Sequence, residues 1–340
     1  MAYKFTNLVV EGGGVKGIAY VGALKVLEEE NILSKIKRVA GTSAGALVAV
    51  LVGLGYTYKD LKKILWDIDF TEFMDDSWGI VKDTERLLHE FGWYKGDFFR
   101  DLVGRYIKKK TGNSESTFAD VVEMKKDNPD FKDIYLIGAN LSTGFSEVFS
   151  FEHTPTTCIA DAARISMSIP LFFAAKRSLR GDVFVDGGLL DNYPIKVFDR
   201  TKYVKTNLVH TDYYEEINDL LKESKPKSAD YVYNKETLGF RLDSKEEVAM
   251  FRDGGEPPVR KIDDIFDYTF ALLNTLIDFQ NNVHLHSDDW QRTIYIDTLG
   301  VSSINFKIDD DTKKALVESG KEHTKAYLKW FNDPEEKANK

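Results

Sequence analysis

Three short glycine-containing motifs carry the residues of this chain that are best suited to chemistry. Residues 11–17 read Glu-Gly-Gly-Gly-Val-Lys-Gly, residues 41–45 read Gly-Thr-Ser-Ala-Gly, and residues 186–188 read Asp-Gly-Gly. A serine on a tight strand-to-helix turn can attack an ester carbonyl, and the free amides of a glycine turn can bind the oxyanion that forms. Together the three motifs predict a hydrolase that works by acyl transfer.

Ser43 is the candidate nucleophile of the second motif. Gly41 and Gly45 stand two residues before and after it, so a strand and a helix can approach closely around the turn. The amino terminus of the following helix adds partial positive charge where anionic character develops. The pattern Gly-x-Ser-x-Gly often arises by chance, but its place between a short apolar strand and a helix of small residues favours a catalytic role.

Asp186 is the candidate general base. It follows the apolar run 183–185, so we expect its carboxylate to be exposed at a strand end, where Gly187 and Gly188 form a turn. Near an apolar site and bonded to the Ser43 hydroxyl, the carboxylate should have a raised pKa, which makes it a usable base.

The glycine run of the first motif has more than one interpretation. Gly12, Gly14 and Gly17 fit the dinucleotide-binding pattern, but the next strand ends at Thr42 without the acidic residue that would hold a ribose. A P-loop is excluded because no Gly-Lys-Ser/Thr follows at the required spacing. We favour an oxyanion hole over a simple tight turn. Its donors would be the amides of Gly13 and Gly14, with Val15 as a further candidate, and Gly12, Lys16 and Gly17 complete the motif.

A histidine-dependent mechanism is an alternative for the base. Ser43, Asp186 and His210 occur in the chain order of α/β-hydrolase triads, and His210 follows a run that could end a strand. None of the six histidines lies in a glycine turn, so Asp186 is the favoured base. His284 and His286 are two residues apart and would not share a helix face, so we expect no metal site there.

The composition is typical of a globular protein and excludes several classes. The chain has 340 residues, of which 43% are hydrophobic and 30% are charged. Its net charge of −9 argues against nucleic-acid binding and provides no bulk attraction to anionic lipid. Cys158 is the single cysteine, so no intrachain disulfide can form. We expect a cytoplasmic protein without a membrane-spanning helix and without a cofactor.

Two strand–turn–helix units open the chain. The apolar runs 5–10 and 37–40 predict buried strands, and each is followed by a helical pattern, the second one of small apolar residues over 44–54. This repetition implies parallel strands joined by crossover helices, and so a three-layer α/β/α fold with a mainly parallel central sheet. Ligands bind such sheets at the carboxyl ends of the strands, where the first two motifs lie.

We divide the chain at residue 205. Residues 1–205 are predicted to form the catalytic core, and residues 206–340 an extension that packs on it, as structural cover or as a regulatory surface. The charge-rich segment 222–261 contains paired prolines and paired glycines and is predicted to be a long surface excursion or a mobile segment. The aromatic segment 66–99 is predicted to be mainly core, with an acyl channel or a lid as the alternative.

The three motifs resemble those of the patatin-like phospholipases, in the same order and at comparable spacing. Two further segments are similar to that family around its Asp-Gly turn: residues 166–173, Ser-Met-Ser-Ile-Pro-Leu-Phe-Phe, and residues 191–194, Asp-Asn-Tyr-Pro. The resemblance covers residues 5–200 approximately. Glu11 stands where the family often has Asp, and Lys16 where it often has Arg, and both replacements keep the charge.

The resemblance implies a patatin-like fold and a Ser–Asp dyad, without histidine or metal, that hydrolyses acyl esters of lipids. It assigns Ser43 as the nucleophile, Asp186 as the base and residues 12–14 as the oxyanion turn. We expect a phospholipid or lysophospholipid substrate and peripheral contact with a membrane surface. The alternative is a lipase effector that stays silent until a small molecule, a partner or homo-oligomerisation activates it.

Overall fold

The computed structural model describes residues 3–73, 86–204, 208–222, 230–245, 261–263, 265–285 and 288–332. The strands are β1 (Asn7–Val10), β2 (Arg38–Thr42), β3 (Gly92–Tyr94), β4 (Asp133–Asn140), β5 (Phe145–Ser150), β6 (Leu171–Phe173), β7 (Lys176–Arg177), β8 (Val183–Asp186), β9 (Thr237–Asp243) and β10 (Thr293–Asp297). The main helices are α1 (Tyr20–Glu29), α2 (Ala44–Gly53), α3 (Tyr58–Asp67), α4 (Asp97–Thr111), α5 (Phe118–Met124), α6 (Ile159–Ser166), α7 (Gly188–Asp191), α8 (Asp212–Leu220), α9 (Ile265–Leu285) and α10 (Asp310–Asn332).

A central sheet of eight strands organises the fold. Its order is β10–β9–β1–β2–β4–β8–β7, with β5 also paired to β4. The five strands from β10 to β4 are parallel, and β5, β8 and β7 run antiparallel to their neighbours. A second, two-stranded sheet pairs β3 with β6. The predicted α/β fold with a mainly parallel central sheet is therefore confirmed.

The central sheet is buried on both faces, as the unbroken apolar run of β1 requires. Leu8 and Val10 point into the larger core, which the helices cover, whereas Val9 points into a second apolar cluster on the other face. That second cluster includes Tyr193 and Phe198, from the segment that follows α7. Helix α2 is apolar almost all round and packs on β2 and β4, which explains its small residues.

The C-terminal region contributes two strands to this same sheet. Strand β9 is buried along its whole length and pairs with β1 on one side and β10 on the other. The prediction of one surface excursion over 222–261 is therefore wrong at residues 237–243, where Leu238, Phe240 and Leu242 lie in the core. Residues 223–229 and 246–260 of that segment lie outside the described residues. The division at residue 205 stays a prediction.

No helix among the described residues combines the length and the apolar character needed to cross a bilayer.

Candidate active site

Ser43 lies at the turn between β2 and α2. Its backbone angles, φ 54° and ψ −127°, are ones that non-glycine residues rarely adopt. The Ser43 amide donates a hydrogen bond to Ser166 Oγ at 3.0 Å. A Cβ atom on Gly45 would lie 2.4 Å from the Val10 carbonyl oxygen, so only glycine lets α2 approach β1 this closely. The tight turn predicted around Ser43 is therefore present.

Asp186 is the last residue of β8 and is only 4% exposed, so the expectation of an exposed carboxylate is wrong. The reason is that β8 runs antiparallel to β4 and ends opposite Gly138, inside the sheet. Its Oδ1 accepts a hydrogen bond from the Gly188 amide at 2.7 Å, whereas its buried Oδ2 has no hydrogen-bond partner among the described residues. One oxygen of a buried carboxylate is thus left without the partner that burial normally demands.

Burial raises the pKa of Asp186 to about 7, against the smaller lowering effects of the Gly188 amide and the Ser43 side chain. No hydrogen bond of normal distance and angle joins the Ser43 hydroxyl to Asp186 Oδ2 in this structure. Catalytic hydrogen bonds are often long in the absence of substrate and tighten only when it binds.

Residues 164–168 hold both candidate catalytic residues in place. Ser166 Oγ accepts from the Ser43 amide, and the Ser168 carbonyl oxygen accepts from the Asp186 amide at 2.8 Å. Arg164 is buried and donates to Ser168 Oγ and to the Ala174 carbonyl oxygen. Sequence reasoning identified this segment only through its resemblance to a family, because nothing in its pattern indicates which groups it contacts.

The glycine turn presents two amides rather than three. The Gly12 amide donates to the Asn192 carbonyl oxygen at 3.1 Å, and the Val15 amide donates to the Ser303 carbonyl oxygen at 3.0 Å. The amides of Gly13 and Gly14 make no hydrogen bond to a described residue. Gly14 has φ +55° and opens the short helix Gly14–Ala19 that leads into α1, so a helix amino terminus adds positive potential here. The candidate donors are therefore Gly13 and Gly14, which corrects the inclusion of Gly12 in the oxyanion turn and of Val15 as a further donor.

Asn192 fastens the glycine turn to the segment that carries Asp186. Its Nδ2 donates to the Gly12 carbonyl oxygen at 3.3 Å and to Glu11 Oε1 at 3.2 Å, while Glu11 Oε2 accepts from the Leu242 amide at 2.6 Å. Burial raises the pKa of Glu11 to about 8, although Arg241 nearby lowers it. Asn192 was predicted only as part of a resembling segment, and no sequence signal indicates the Ser303 contact.

The structure places the other predicted site residues around Ser43 and Asp186. Lys16 and Gly17 line the cavity that contains Ser43. A Cβ atom on Gly41 would meet the Gly45 carbonyl oxygen, and one on Gly187 would meet the Ile137 carbonyl oxygen. Gly188 donates to Asp186 and also lines the cavity.

His210 lies far from this site in the fold. It is exposed, and the preceding Val209 pairs with Tyr233, just before the amino end of β9. Ser43 and Asp186 line a cavity at the carboxyl ends of the parallel strands, and His210 is not among the lining residues. This placement argues against a triad. The side chain of His284 and the whole of His286 lie outside the described part of the protein.

A cavity of about 960 Å³ surrounds Ser43 and Asp186, at the upper end of the ~300–1,000 Å³ usual for small-molecule sites. Most of its wall is apolar, and α9 and the loop 298–306 close one side of it. From the aromatic segment 66–99, Phe70 and Phe73 line the cavity, whereas Phe99 is core; Trp78 lies outside the described residues. The apolar lining residues include Leu47, Val48, Leu65, Met167, Ile169, Phe173, Leu189, Ile277, Ile304 and Phe306.

Two known proteins are similar to this chain in sequence. The uncharacterised protein YqhO of Bacillus subtilis is 28% identical over 334 residues, which is 94% of this chain and 97% of that protein. A cGAMP-activated phospholipase of Escherichia coli is 24% identical over 205 residues, which is 55% of this chain and 52% of that enzyme.

A solved structure resembles the whole fold. VipD from Legionella pneumophila superposes with a TM-score of 0.58 at 18% identity, covering 96% of this chain and 67% of that one. The model of the patatin-like phospholipase family matches residues 8–199, which include all three motifs and more than half of the chain. The chain therefore belongs to the patatin-like phospholipase family.

Proposed function

We propose that this protein hydrolyses fatty-acyl esters of phospholipids or lysophospholipids at a membrane surface, with Ser43 as nucleophile and Asp186 as base. The observation that carries the proposal is the state of Asp186. It is a buried carboxylate with a pKa of about 7 and one oxygen without a described partner, and it faces the same apolar cavity as Ser43 on its strained turn. Groups perturbed in this way concentrate at catalytic sites.

In the first half of the reaction, Ser43 Oγ attacks the ester carbonyl carbon and its proton passes to Asp186 Oδ2. The carbonyl oxygen becomes an oxyanion that accepts hydrogen bonds from the Gly13 and Gly14 amides. Each donor of this kind contributes about 3–4 kcal/mol to transition-state stabilisation. The alcohol then leaves with the proton from Asp186, and an acyl-enzyme on Ser43 remains.

In the second half, water attacks the acyl carbonyl and gives its proton to Asp186. The tetrahedral intermediate collapses, the fatty acid leaves, and the proton returns to Ser43 Oγ. A base with a pKa near 7 suits both transfers, because it is ionised enough to accept the proton and acidic enough to return it.

The cavity supports a lipid as substrate. Its walls are mainly apolar and its volume is large, as an acyl tail requires. Lys16 is the cationic residue nearest the glycine turn in sequence, and it lines the same cavity, where a phosphate or a developing anion would be attracted.

The test is fatty-acid release from mixed phospholipid vesicles by the wild type and by Ser43→Ala, with both proteins checked for equal thermal stability. Release by the wild type alone supports the proposal, and the products identify the bond that is cut. Equal release by a stably folded Ser43→Ala protein would contradict the assignment of the nucleophile.

We propose switched activity as the second candidate. The Escherichia coli relative is named as cGAMP-activated, and in the present fold α9 and the loop 298–306, both from the C-terminal region, close one side of the cavity. A purified protein that is inactive on vesicles alone but gains Ser43-dependent activity on addition of cell extract or a cyclic dinucleotide would favour this form.

A further inference from the structure

Helix α9 has one face that lines the cavity and another that is exposed to solvent. Asp267, Ala271, Asn274 and Ile277 line the catalytic cavity at steps of four and three residues, and Leu273 and Thr275 line it from the two sides of this stripe. Side chains at steps of three and four residues share one face of a helix, so this is the inward face. The helix also packs on α7, the turn that follows Asp186. Helix α9 is thus part of the wall of the active site.

The opposite face of α9 is apolar and exposed. It carries Ile265, Tyr268, Leu272, Leu276 and Phe279, again at steps of three and four residues. Phe279 is 74% exposed and Leu272 is 52% exposed. These five residues, called here the outer face of α9, contain no charged side chain. A contiguous apolar surface of this kind marks a place of interaction.

Three further segments place exposed leucines next to residues that line the cavity. Leu171, Leu190 and Leu299 are exposed, although each adjoins residues that line the cavity. Pro170 precedes the first, Leu189 precedes the second, and Thr298 and Gly300 flank the third. Leu171 and Leu299 have positive φ, a conformation that bulky residues rarely adopt. The rim of the cavity is therefore apolar on four separate segments.

We propose that the outer face of α9 and this leucine rim dock on the surface of a zwitterionic phospholipid bilayer, with α9 lying in the plane of the interface. The inference rests on the proposed function, because a lipid ester must pass from a bilayer into the cavity. A helix whose one face enters the acyl-chain boundary while its other face lines the cavity makes that passage short.

Two observations favour a bilayer over a second copy of the protein. A second copy seated on the outer face would also cover the rim through which a lipid enters. The net charge of −9 gives no attraction to anionic lipid, so the contact must be mainly apolar, and the outer face supplies uncharged side chains alone.

The experiment compares two double variants. Leu272→Ser with Leu276→Ser removes apolar side chains from the outer face, and neither residue lines the cavity. Leu208→Ser with Leu220→Ser removes the same chemistry elsewhere. Leu220 ends α8, which bonds to Tyr231 near the amino end of β9, so the control lies at the opposite edge of the sheet.

Each protein is tested in four measurements. Co-flotation with phosphatidylcholine vesicles is measured in a Ser43→Ala background, so that binding is separated from turnover. Fatty-acid release from the same vesicles and hydrolysis of a soluble short-chain ester are measured with Ser43 intact. Light scattering reports the oligomeric state.

We expect the α9 variant to lose about tenfold or more in vesicle partition and to lose vesicle hydrolysis in parallel. Its rate on the soluble ester should match the wild type, the control variant should behave as the wild type throughout, and phosphatidylserine should not strengthen binding. Equal flotation of both variants, a dependence on anionic lipid, or a dimer that the α9 variant alone dissociates would each overturn the docking surface. If the wild type binds the vesicles but shows no Ser43-dependent turnover of either substrate, the proposed function is overturned instead.

Discussion

Two buried aspartates, at opposite edges of the same sheet, show how differently one type of side chain is used. Asp199 lies at the amino end of β9 and β10, and both of its oxygens accept hydrogen bonds from Arg292, each at 2.6 Å. The Tyr214 hydroxyl also donates to Asp199, and Arg292 is bonded in turn to Asp289. Asp186 lies at the catalytic edge and has one oxygen without a described partner.

The difference distinguishes a structural carboxylate, Asp199, from the proposed general base, Asp186. A buried carboxylate whose two oxygens both accept hydrogen bonds from a guanidinium has its partners satisfied and holds chain segments together. A buried carboxylate that is partly unsatisfied has a raised pKa and can exchange a proton. Asp186, at the catalytic edge, is therefore an unfavourably buried group that the rest of the fold holds in place. Substitutions at the two edges should have opposite effects on activity and stability.

The largest effect is expected for Asp186→Asn. The amide cannot accept the Ser43 proton, so the rate of ester hydrolysis should fall by about 10²–10⁴-fold, the usual contribution of a general base. Unfolding should be no easier than in the wild type, because a poorly satisfied buried acid is removed. Initial rates on a soluble ester and a urea titration measure the two effects.

The double variant with Ser43→Ala is the control for this prediction. Because the two residues act as one unit, it should be scarcely slower than either single variant. If the rate losses of the two single variants multiplied in the double variant, as expected for independent residues, the dyad would be contradicted.

Arg292→Met should have the opposite effects, with lower stability and retained activity. It leaves Asp199 and Asp289 buried without their partner, and breaking such a pair lowers the free energy of unfolding by about 3–5 kcal/mol. Activity per folded molecule should be retained, since the network is far from the cavity. Chemical denaturation measures the loss, with Lys314→Met as the control because its ion pair with Asp311 is exposed and should contribute little. Equal free energies of unfolding for Arg292→Met and Lys314→Met would contradict the structural role of the Asp199 network.

The pH dependence of activity should report Asp186. The base must be ionised, so kcat/KM should rise about tenfold per pH unit below pH 7 and level off above it. Burial also raises the pKa of Glu11 to about 8 and that of Asp191 to about 7. Rate profiles of Glu11→Gln and Asp191→Asn should keep the same acid limb, and its disappearance in either would reassign the base.

The pH dependence of stability follows from the same pKa. The carboxyl titrates near 3.8 when unfolded and near 7 when folded, so between these values only the folded state holds the proton. The free energy of unfolding should therefore fall as the pH rises from about 4 to 7, and stay level above. Relative to the wild type, Asp186→Asn should gain stability at pH 8 and lose that advantage near pH 4, as thermal unfolding at several pH values would show.

Local patterns were enough to predict most of this fold. The runs in β1 and β2, each followed by a glycine turn and a helix, specify parallel strands, and the turn at Ser43 is where spacing placed it. Strand β9 was missed because charged neighbours on both sides hide its short alternation of apolar residues. Its neighbours in the sheet come from residues 7–10 and 293–297, a long-range pairing that no local window contains.

The site was harder to predict than the fold. Residue types and order were sufficient to propose Ser43 and Asp186, since the chemistry requires them. The burial of Asp186 and the use of the Gly12 amide depend on what packs against them, namely β4 and Asn192. Both are consequences of tertiary contacts that composition and spacing do not contain.

The smallest effect is expected for Asn192→Ala, which tests how the catalytic edge holds its donors. Losing the bonds from Asn192 Nδ2 to Glu11 Oε1 and the Gly12 carbonyl oxygen would loosen the turn that presents the Gly13 and Gly14 amides. Because the turn acts on the transition state, kcat should fall by about tenfold, or ~1.4 kcal/mol, while KM changes little. The backbone bond from the Gly12 amide to residue 192 remains, so the loss should be partial. A change in KM alone would mean that Asn192 contacts the substrate rather than positioning the oxyanion turn.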